Sequence, residues 1–395
     1  MRVAYCSAEV APFSKTGGLG DVAGSLPAAL DEDVAVFTPL YRGISRLRAT
    51  DLPHWKTARR EGIDHYFFDA PELWDRDSLY GSNEAAFEDN EHRFRRLCEA
   101  IVADAGRLMG GEPDVFHVND WHTALVPALT TTRTVLSIHN LAYQGAFDSV
   151  NFLRTGIEAA DCVTTVSPGY AEEIQSPEHG MGLDDVLRRR GVSGIVNGLV
   201  GWAPPYSTPR GKKRHQKALR RQLGLSEGPL LAVVSRFTWQ KGLDLVADAV
   251  PALLALGTRL VVLGTGDPSL EQRFESMARQ FPEHLYVRID FDEVFARQIL
   301  AGADLFLMPS RFEPCGLTQL QAMAFGTLPV VRAVGGLKDT VDEGRTGFVF
   351  RSDSEFVPTL QRALAKRSAR MQRAAMARDS SWAAAAAAYS QLYQE

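Results

Sequence analysis

One recurring pattern constrains this chain more than any other feature. Short runs rich in Val, Ile and Phe alternate with longer amphipathic stretches, and the whole series occurs twice. The first series comprises residues 2–6, VAVF (34–37), VFHV (115–118), TVLSI (134–138), VTTV (163–166) and GIVN (194–197). The second restarts after residue 225 with LLAVV (230–234), LVVLG (260–264), LYVRI (285–289), LFLM (305–308), LPVV (328–331) and GFVF (347–350). Apolar runs of this length set between helices read as parallel strands covered on both faces. The fold class that follows is α/β, with two successive doubly wound sheets.

At roughly 150 residues per domain, 395 residues also predict two or three domains. The stretch GLVGWAPPYSTPRGKK (198–213) mixes glycine, proline and polar residues that disfavour regular structure, which places the boundary near Gly198. The expected domains are 1–198, 199–375 and a terminal helix over 376–395, the last inferred from SWAAAAAAYSQLY (381–393) and expected to dock on the N-terminal domain through Trp382, Tyr389 and Tyr393. Open α/β sheets bind ligands beyond the carboxyl ends of their strands, so the active site is expected to draw residues from both halves.

Charge and cysteine content exclude several classes. Lys and Arg number 43 against 48 Asp and Glu, a net charge of -5, which offers no global attraction for nucleic acid or anionic lipid. The four cysteines, Cys6, Cys98, Cys162 and Cys315, form no CxxC pair, which argues against a zinc ribbon or a disulfide framework and fits a reducing cytosol. Glu9 interrupts the N-terminal apolar run, and no segment reaches the roughly 18 uncharged apolar residues of a membrane span. A cytoplasmic protein is expected.

The chemistry-bearing motifs all follow apolar runs. In KTGGLGDV (15–22), Gly17, Gly18 and Gly20 let the backbone approach a ligand, the following helix offers N–H groups, and Lys15 adds a positive charge. An anion site is one reading, and a tight strand-to-helix turn with a solvated lysine is the other. It is neither GxGxxG nor a Walker loop. SRFTWQKG (235–242) sets Arg236 directly after a run and Lys241 before a helix, two cations able to converge on a diphosphate. In SRFEPCGLTQLQAM (310–323), Glu313 lies in a loop closed by Pro314 and Gly316, where a carboxylate can accept from sugar hydroxyls. RAVGGLKDT (332–340) offers Gly335 and Gly336 as a further phosphate cradle.

HVNDWHTAL (117–125) and SIHNLAYQG (137–145) contribute His117, Asp120, His122 and His139. Nothing there has metal-ligand spacing, so polar groups around a hydroxylated ligand are expected, with no metal. The basic runs Arg188–Arg190 and Lys212, Lys213, Arg214, Lys217, Arg220 and Arg221 read as solvated faces. Cys315 reads as packing within its loop.

In order along the chain, KTGGLGDV, DRDSLYG, NDWHTAL, IHNLAYQG, TTVSPGYAEEI, GIVNG, SRFTWQKGLD, LGTGDPSLE, AGADLFLMPSRFEPCGLTQLQAM and GGLKDTV resemble the bacterial glycogen synthases and plant starch synthases over nearly the whole length. The resemblance implies two facing Rossmann-like domains (the GT-B fold) and transfer of glucose, with retention, from a nucleotide sugar, ADP-glucose in the bacterial members, to the non-reducing end of an α-1,4-glucan. It implies no cofactor, and neither nucleic acid nor membrane as partner. Lys15, Arg236 and Lys241 match residues gripping the donor diphosphate, Gly18 the close glycine contact, and Glu313 the carboxylate near the donor sugar. Gly17, Cys315, Gly316, Leu317, Thr318, Gly335 and Gly336 are further expected substrate-binding residues. His139 and Asp120 match residues facing the transferred glucose, and Glu9 one in the acceptor region. Glu313, His139, Asp120, Arg236 and Lys241 are the expected catalytic set.

The chain departs from the family pattern in several places. It is shorter, with deletions expected after Tyr41–Ser45, after Phe147 and around 198–210. Val200 stands where the family has Asp, Asp290 and Phe291 replace the usual Gly-Tyr, and Gln321 occupies the place of a second Glu found in related transferases. The alternatives are a glucosyltransferase of the same fold with another or shorter acceptor, or a catalytically weak glucan-binding paralogue.

Overall fold

Every apolar run named above overlaps a strand, although GIVN contributes only Gly194 to one. The computed structural model describes residues 1–82 and 85–395. Contacts divide the chain into two compact units, one of Met1–Val200 with Ser381–Glu395 and one of Gly201–Ser380.

In the first unit the strands are β1 (Arg2–Cys6), β2 (Asp33–Pro39), β3 (Arg48–Ala49), β4 (Trp55–Arg60) and β5 (Ile63–Phe68), then a small ribbon of β6 (Gly81–Ser82) and β7 (Ala85–Ala86), then β8 (Val115–Asn119), β9 (Arg133–Ile138), β10 (Cys162–Thr165) and β11 (Ser193–Gly194). All but the ribbon form one sheet in the order β11-β10-β9-β8-β1-β2-β5-β4-β3. From β11 to β5 the pairing is parallel, whereas β4 runs antiparallel to both neighbours. That antiparallel edge was not legible in the sequence. WKTARR and IDHYFF lack the continuous apolar run of a strand covered on both faces: WKTARR is buried only at Trp55, and IDHYFF only at His65, Phe67 and Phe68.

The second unit holds β12 (Leu230–Val234), β13 (Arg259–Gly264), β14 (Leu285–Ile289), β15 (Leu305–Met308), β16 (Leu328–Arg332) and β17 (Phe348–Phe350), all parallel, in the order β14-β13-β12-β15-β16-β17. The order reverses at β12, so the loops after β12 and β15 open on either side of a switch point, where doubly wound sheets place their ligands.

The C-terminal helix, Ala383–Gln394, belongs to the first unit. Tyr389 and Tyr393 are buried, and the Tyr393 hydroxyl lies 2.6 Å from His117 Nδ1 while His117 Nε2 lies 2.8 Å from Ser137 Oγ. One basic residue departs from the expected solvated face. Lys212 is 1% exposed, its ammonium 2.7 Å from the Leu300 carbonyl, 3.2 Å from those of Ala301 and Phe325, and 2.6 Å from Thr327 Oγ1. It caps the carboxyl ends of two helices, Glu293–Gly302 and Thr318–Ala324, where a cation meets both orphan carbonyls and the negative end of the dipole.

Candidate functional site

In the second unit, two loops come together at the carboxyl ends of neighbouring strands. After β12 the chain passes Arg236 and makes a short 3-10 turn, Trp239–Lys241, ending at Gly242 with φ 66°. A Cβ at Gly242 would lie 2.3 Å from the Pro309 carbonyl oxygen, so glycine is required for this loop to pack on the one after β15. That contact brings Lys241 Nζ to 2.6 Å from Glu313 Oε2, which also accepts from Ser310 Oγ at 3.0 Å. Glu313 is buried. Arg236 is exposed, and among the described residues its guanidinium has no hydrogen bond or ion pair. The loop after β12 thus carries both an exposed cation and one cation of a buried ion pair, charges of the kind that can receive a phosphate.

Gly336, after β16, serves differently from its expected part in an exposed cradle. The Gly336 N–H is taken by the Glu313 carbonyl at 3.0 Å, and a Cβ at Gly336 would lie 2.4 Å from the Cys315 carbonyl oxygen. Gly336 therefore seats the Glu313–Cys315 loop against the next helix. Gln319 closes the same loop through bonds to the Cys315 and Gly316 carbonyls at 3.0 and 2.7 Å. Gly316 takes φ 73°, Leu317 is the N-cap of the helix Thr318–Ala324, and Cys315 is buried within the loop.

In the first unit, the glycine turn after β1 already contains an anion. The carboxylate of Glu9, 3% exposed, accepts from the Thr16 N–H at 2.6 Å, the Thr16 hydroxyl at 2.6 Å, the Gly17 N–H at 3.2 Å and the Tyr80 hydroxyl at 2.8 Å. The N–H groups of Thr16 and Gly17 are thereby used by the chain itself, and Glu9 sets the shape of the turn. A Cβ on Gly17 or Gly18 would meet nothing within 4 Å. Lys15 pairs with Asp21 at 2.6 Å, with the two side chains 36% and 40% exposed. An exposed pair of this kind is worth about 0–1 kcal/mol, so Lys15 is only loosely held.

The motifs after β8 and β9 meet at Asp120 and His139. Asp120 has φ 53°, an uncommon conformation for a residue other than glycine, and its Oδ1 accepts the main-chain N–H of His139 at 2.6 Å and of Asn140 at 3.4 Å. Burial pushes its carboxyl up to about 7, although the two N–H groups favour the anion. Burial also pushes the His139 imidazole down to about 4, and those of His117 and His122 down to about 3. All three rings are therefore neutral near pH 7. His117 and His122 lie in the core, the former bonded through both nitrogens and the latter stacked on Trp121 at 4.1 Å. They depart from the expectation that four groups of this motif pair surround a ligand. Among the described residues, no three His, Cys, Asp or Glu side chains are grouped to hold a metal ion.

Four residues of consequence escaped sequence reasoning: Asn119, Tyr80, Arg93 and Lys212. Tyr80 and Asn119 lay inside motifs already quoted, yet nothing marked their side chains as pointing inward. Arg93 is fully buried and bonds the Leu73 and Leu79 carbonyls and Asn90 Oδ1, fixing the segment that carries Tyr80.

The sequence pattern of the starch synthase catalytic domain matches residues 2–189, and that of the group 1 glycosyl transferases matches residues 228–366. A glycogen synthase of Anaeromyxobacter sp. (strain Fw109-5) is 43% identical, covering all of this chain and 99% of the relative. That alignment runs over 472 positions against the 395 of this chain, so roughly 77 positions of the relative have no counterpart here. A glycogen synthase of Myxococcus xanthus (strain DK1622) is 38% identical over all of this chain and 99% of its own length. Among solved structures, the catalytic domain of starch synthase IV from Arabidopsis thaliana bound to ADP and acarbose superposes with a TM-score of 0.87 at 30% identity, covering 99% of this chain and 98% of that one. A sucrose-phosphate synthase from Thermosynechococcus elongatus shares the fold, with a TM-score of 0.69 at 21% identity, covering 100% of this chain and 98% of that one.

Proposed function

The chain belongs to the glycogen and starch synthase family of retaining glycosyltransferases, which transfer glucose from a nucleotide sugar, and we propose that its donor is ADP-glucose and its acceptor the non-reducing end of an α-1,4-glucan. Cleavage of the donor concentrates negative charge on the departing diphosphate. Fixed positive charge at that point lowers the barrier more than it tightens donor binding. In this reading Arg236 and Lys241 supply that charge, and Glu313 holds Lys241 in place while offering its carboxylate to the donor sugar. Asp120 and His139 hold the transferred glucose through hydrogen bonds. No metal has a part in this scheme, and the reaction is placed in the cytoplasm. Among the described residues, no helix is long and apolar enough to cross a membrane.

The observation that carries the reading is the 2.6 Å pair of Lys241 and Glu313, with the exposed Arg236 in the same loop as Lys241. The likeness to a starch synthase bound to ADP supports the choice of nucleotide. The test is to incubate the purified protein with ADP-glucose or UDP-glucose and glycogen, with and without EDTA, and to measure nucleotide release and chain extension. Extension from ADP-glucose that survives EDTA is expected. Extension from UDP-glucose alone would overturn the donor assignment, and loss with EDTA that magnesium restores would overturn the metal-free one.

A further inference from the structure

The geometry points to Asn119 as the positioning residue that fixes the imidazole of His139 in one tautomer, with its proton on Nε2 turned into the protein and the Nδ1 lone pair left to accept from a sugar hydroxyl. The second half of this statement rests on the reading that His139 faces the transferred sugar, whereas the first rests on hydrogen-bond chemistry alone.

Asn119 Nδ2 lies 2.9 Å from the Cys6 carbonyl oxygen, and a carbonyl can only accept. The NH2 of the amide must therefore face Cys6, because the opposite orientation would set two acceptors against each other at that distance. Asn119 Oδ1 is thereby directed at its two other neighbours, the Tyr5 hydroxyl at 3.1 Å and His139 Nε2 at 2.9 Å. An amide oxygen also only accepts, so both neighbours donate and the ring proton sits on Nε2. Asn119 has little freedom to turn. It is fully buried, its main-chain N–H donates to Thr123 Oγ1 at 2.8 Å, and its partner Tyr5 is fully buried as well.

His139 is held from the other side by its backbone, through the 2.6 Å bond from its N–H to Asp120 Oδ1. The ring is half-buried, and among the described residues its Nδ1 has no hydrogen-bond partner. A neutral ring locked in this way presents a lone pair and no proton, so it accepts from a hydroxyl and cannot donate to a ring oxygen or a phosphate. Which nitrogen of a histidine works is set by the bond that the other one makes.

Histidine-labelled protein examined by long-range proton–nitrogen NMR tests this directly, the His139 signals being assigned by their loss in His139→Gln. The expected spectrum has a protonated Nε2 and an unprotonated Nδ1 from pH 6 to 8. The reverse pattern, or averaged signals, would overturn the inference. In Asn119→Leu the preference should vanish, and turnover should fall by on the order of 10- to 100-fold, the scale for losing an orienting partner of a working side chain. An unchanged tautomer in a folded Asn119→Leu would also overturn it. Should that variant fail to fold, the wild-type spectrum still decides. A spectrum of the expected form combined with normal glucose transfer by His139→Ala would uphold the role of Asn119 and refute the placement of His139 at the sugar.

Discussion

In the second unit the candidate loops carry charge into the place where a ligand would bind: Arg236 is exposed and unpaired among the described residues, and Lys241 stands 2.6 Å from Glu313. In the first unit the corresponding loops have had their charge taken up. Glu9 is wrapped by Thr16, Gly17 and Tyr80, Lys15 is paired with Asp21, and the imidazoles of His117, His122 and His139 are kept neutral by burial. The two units share a parallel α/β plan and differ in what their strand ends present. The difference fits the proposed parts: a diphosphate needs fixed charge, whereas a sugar is recognised by neutral donors and acceptors of fixed direction.

The largest expected effect breaks the comparison on its charged side. Arg236→Ala or Lys241→Ala should lower turnover by on the order of 100-fold or more, with a smaller rise in the KM for donor, because the charge they meet develops during cleavage. Steady-state kinetics with ADP-glucose and glycogen reads both parameters. Near-normal turnover in both variants would remove these residues from the site.

Next in size is the buried cation of the same unit. Lys212→Met keeps the volume of the side chain but strands the Leu300, Ala301 and Phe325 carbonyls at two helix ends, a loss of about 2–4 kcal/mol in unfolding free energy. Burial pushes the Lys212 ammonium down to about 7, so the folded chain binds this proton more weakly than the unfolded one does. Its contribution is fullest above about 10.5, the ordinary lysine value, and declines as pH falls through about 7. Urea unfolding from pH 6 to 10 should lose that slope in the variant, and an unchanged midpoint and slope would contradict the capping role.

The smallest effect lies on the neutral side. Burial pushes the Asp120 carboxyl up to about 7, so the stability tied to its proton is complete below about 4 and is lost as pH rises through about 7. Asp120→Asn tolerates the same φ of 53° and still offers an oxygen to the His139 N–H. It should flatten the fall in unfolding midpoint between pH 6 and 8 while turnover drops only a few-fold. A slope identical to that of the parent protein would mean that Asp120 is ionised throughout.

Periodicity made the parallel core of both sheets legible, because a strand covered on both faces must be apolar at nearly every position. It missed β3 to β5, whose residues are apolar only in part. Motif reading found Arg236, Lys241 and Glu313 because charged residues directly after buried strands have few structural reasons to be there. It could not foresee that Glu9 would fill the glycine turn, that the Gly336 N–H would be used by Glu313, or that Lys212, in a run of six basic residues, would be the buried one. Each of these depends on which neighbour a folded loop meets, which residue spacing does not encode.

The division of labour is tested most directly by ADP binding, since ADP carries the diphosphate without the sugar. Calorimetric titration of ADP into the parent protein, Arg236→Ala and His139→Ala separates the two functions in one experiment. Arg236→Ala should weaken ADP binding about tenfold, the equivalent of one charge-assisted contact, while His139→Ala should bind ADP within about twofold of the parent and lose turnover. Equal weakening in both variants, or weakening in His139→Ala alone, would contradict that division.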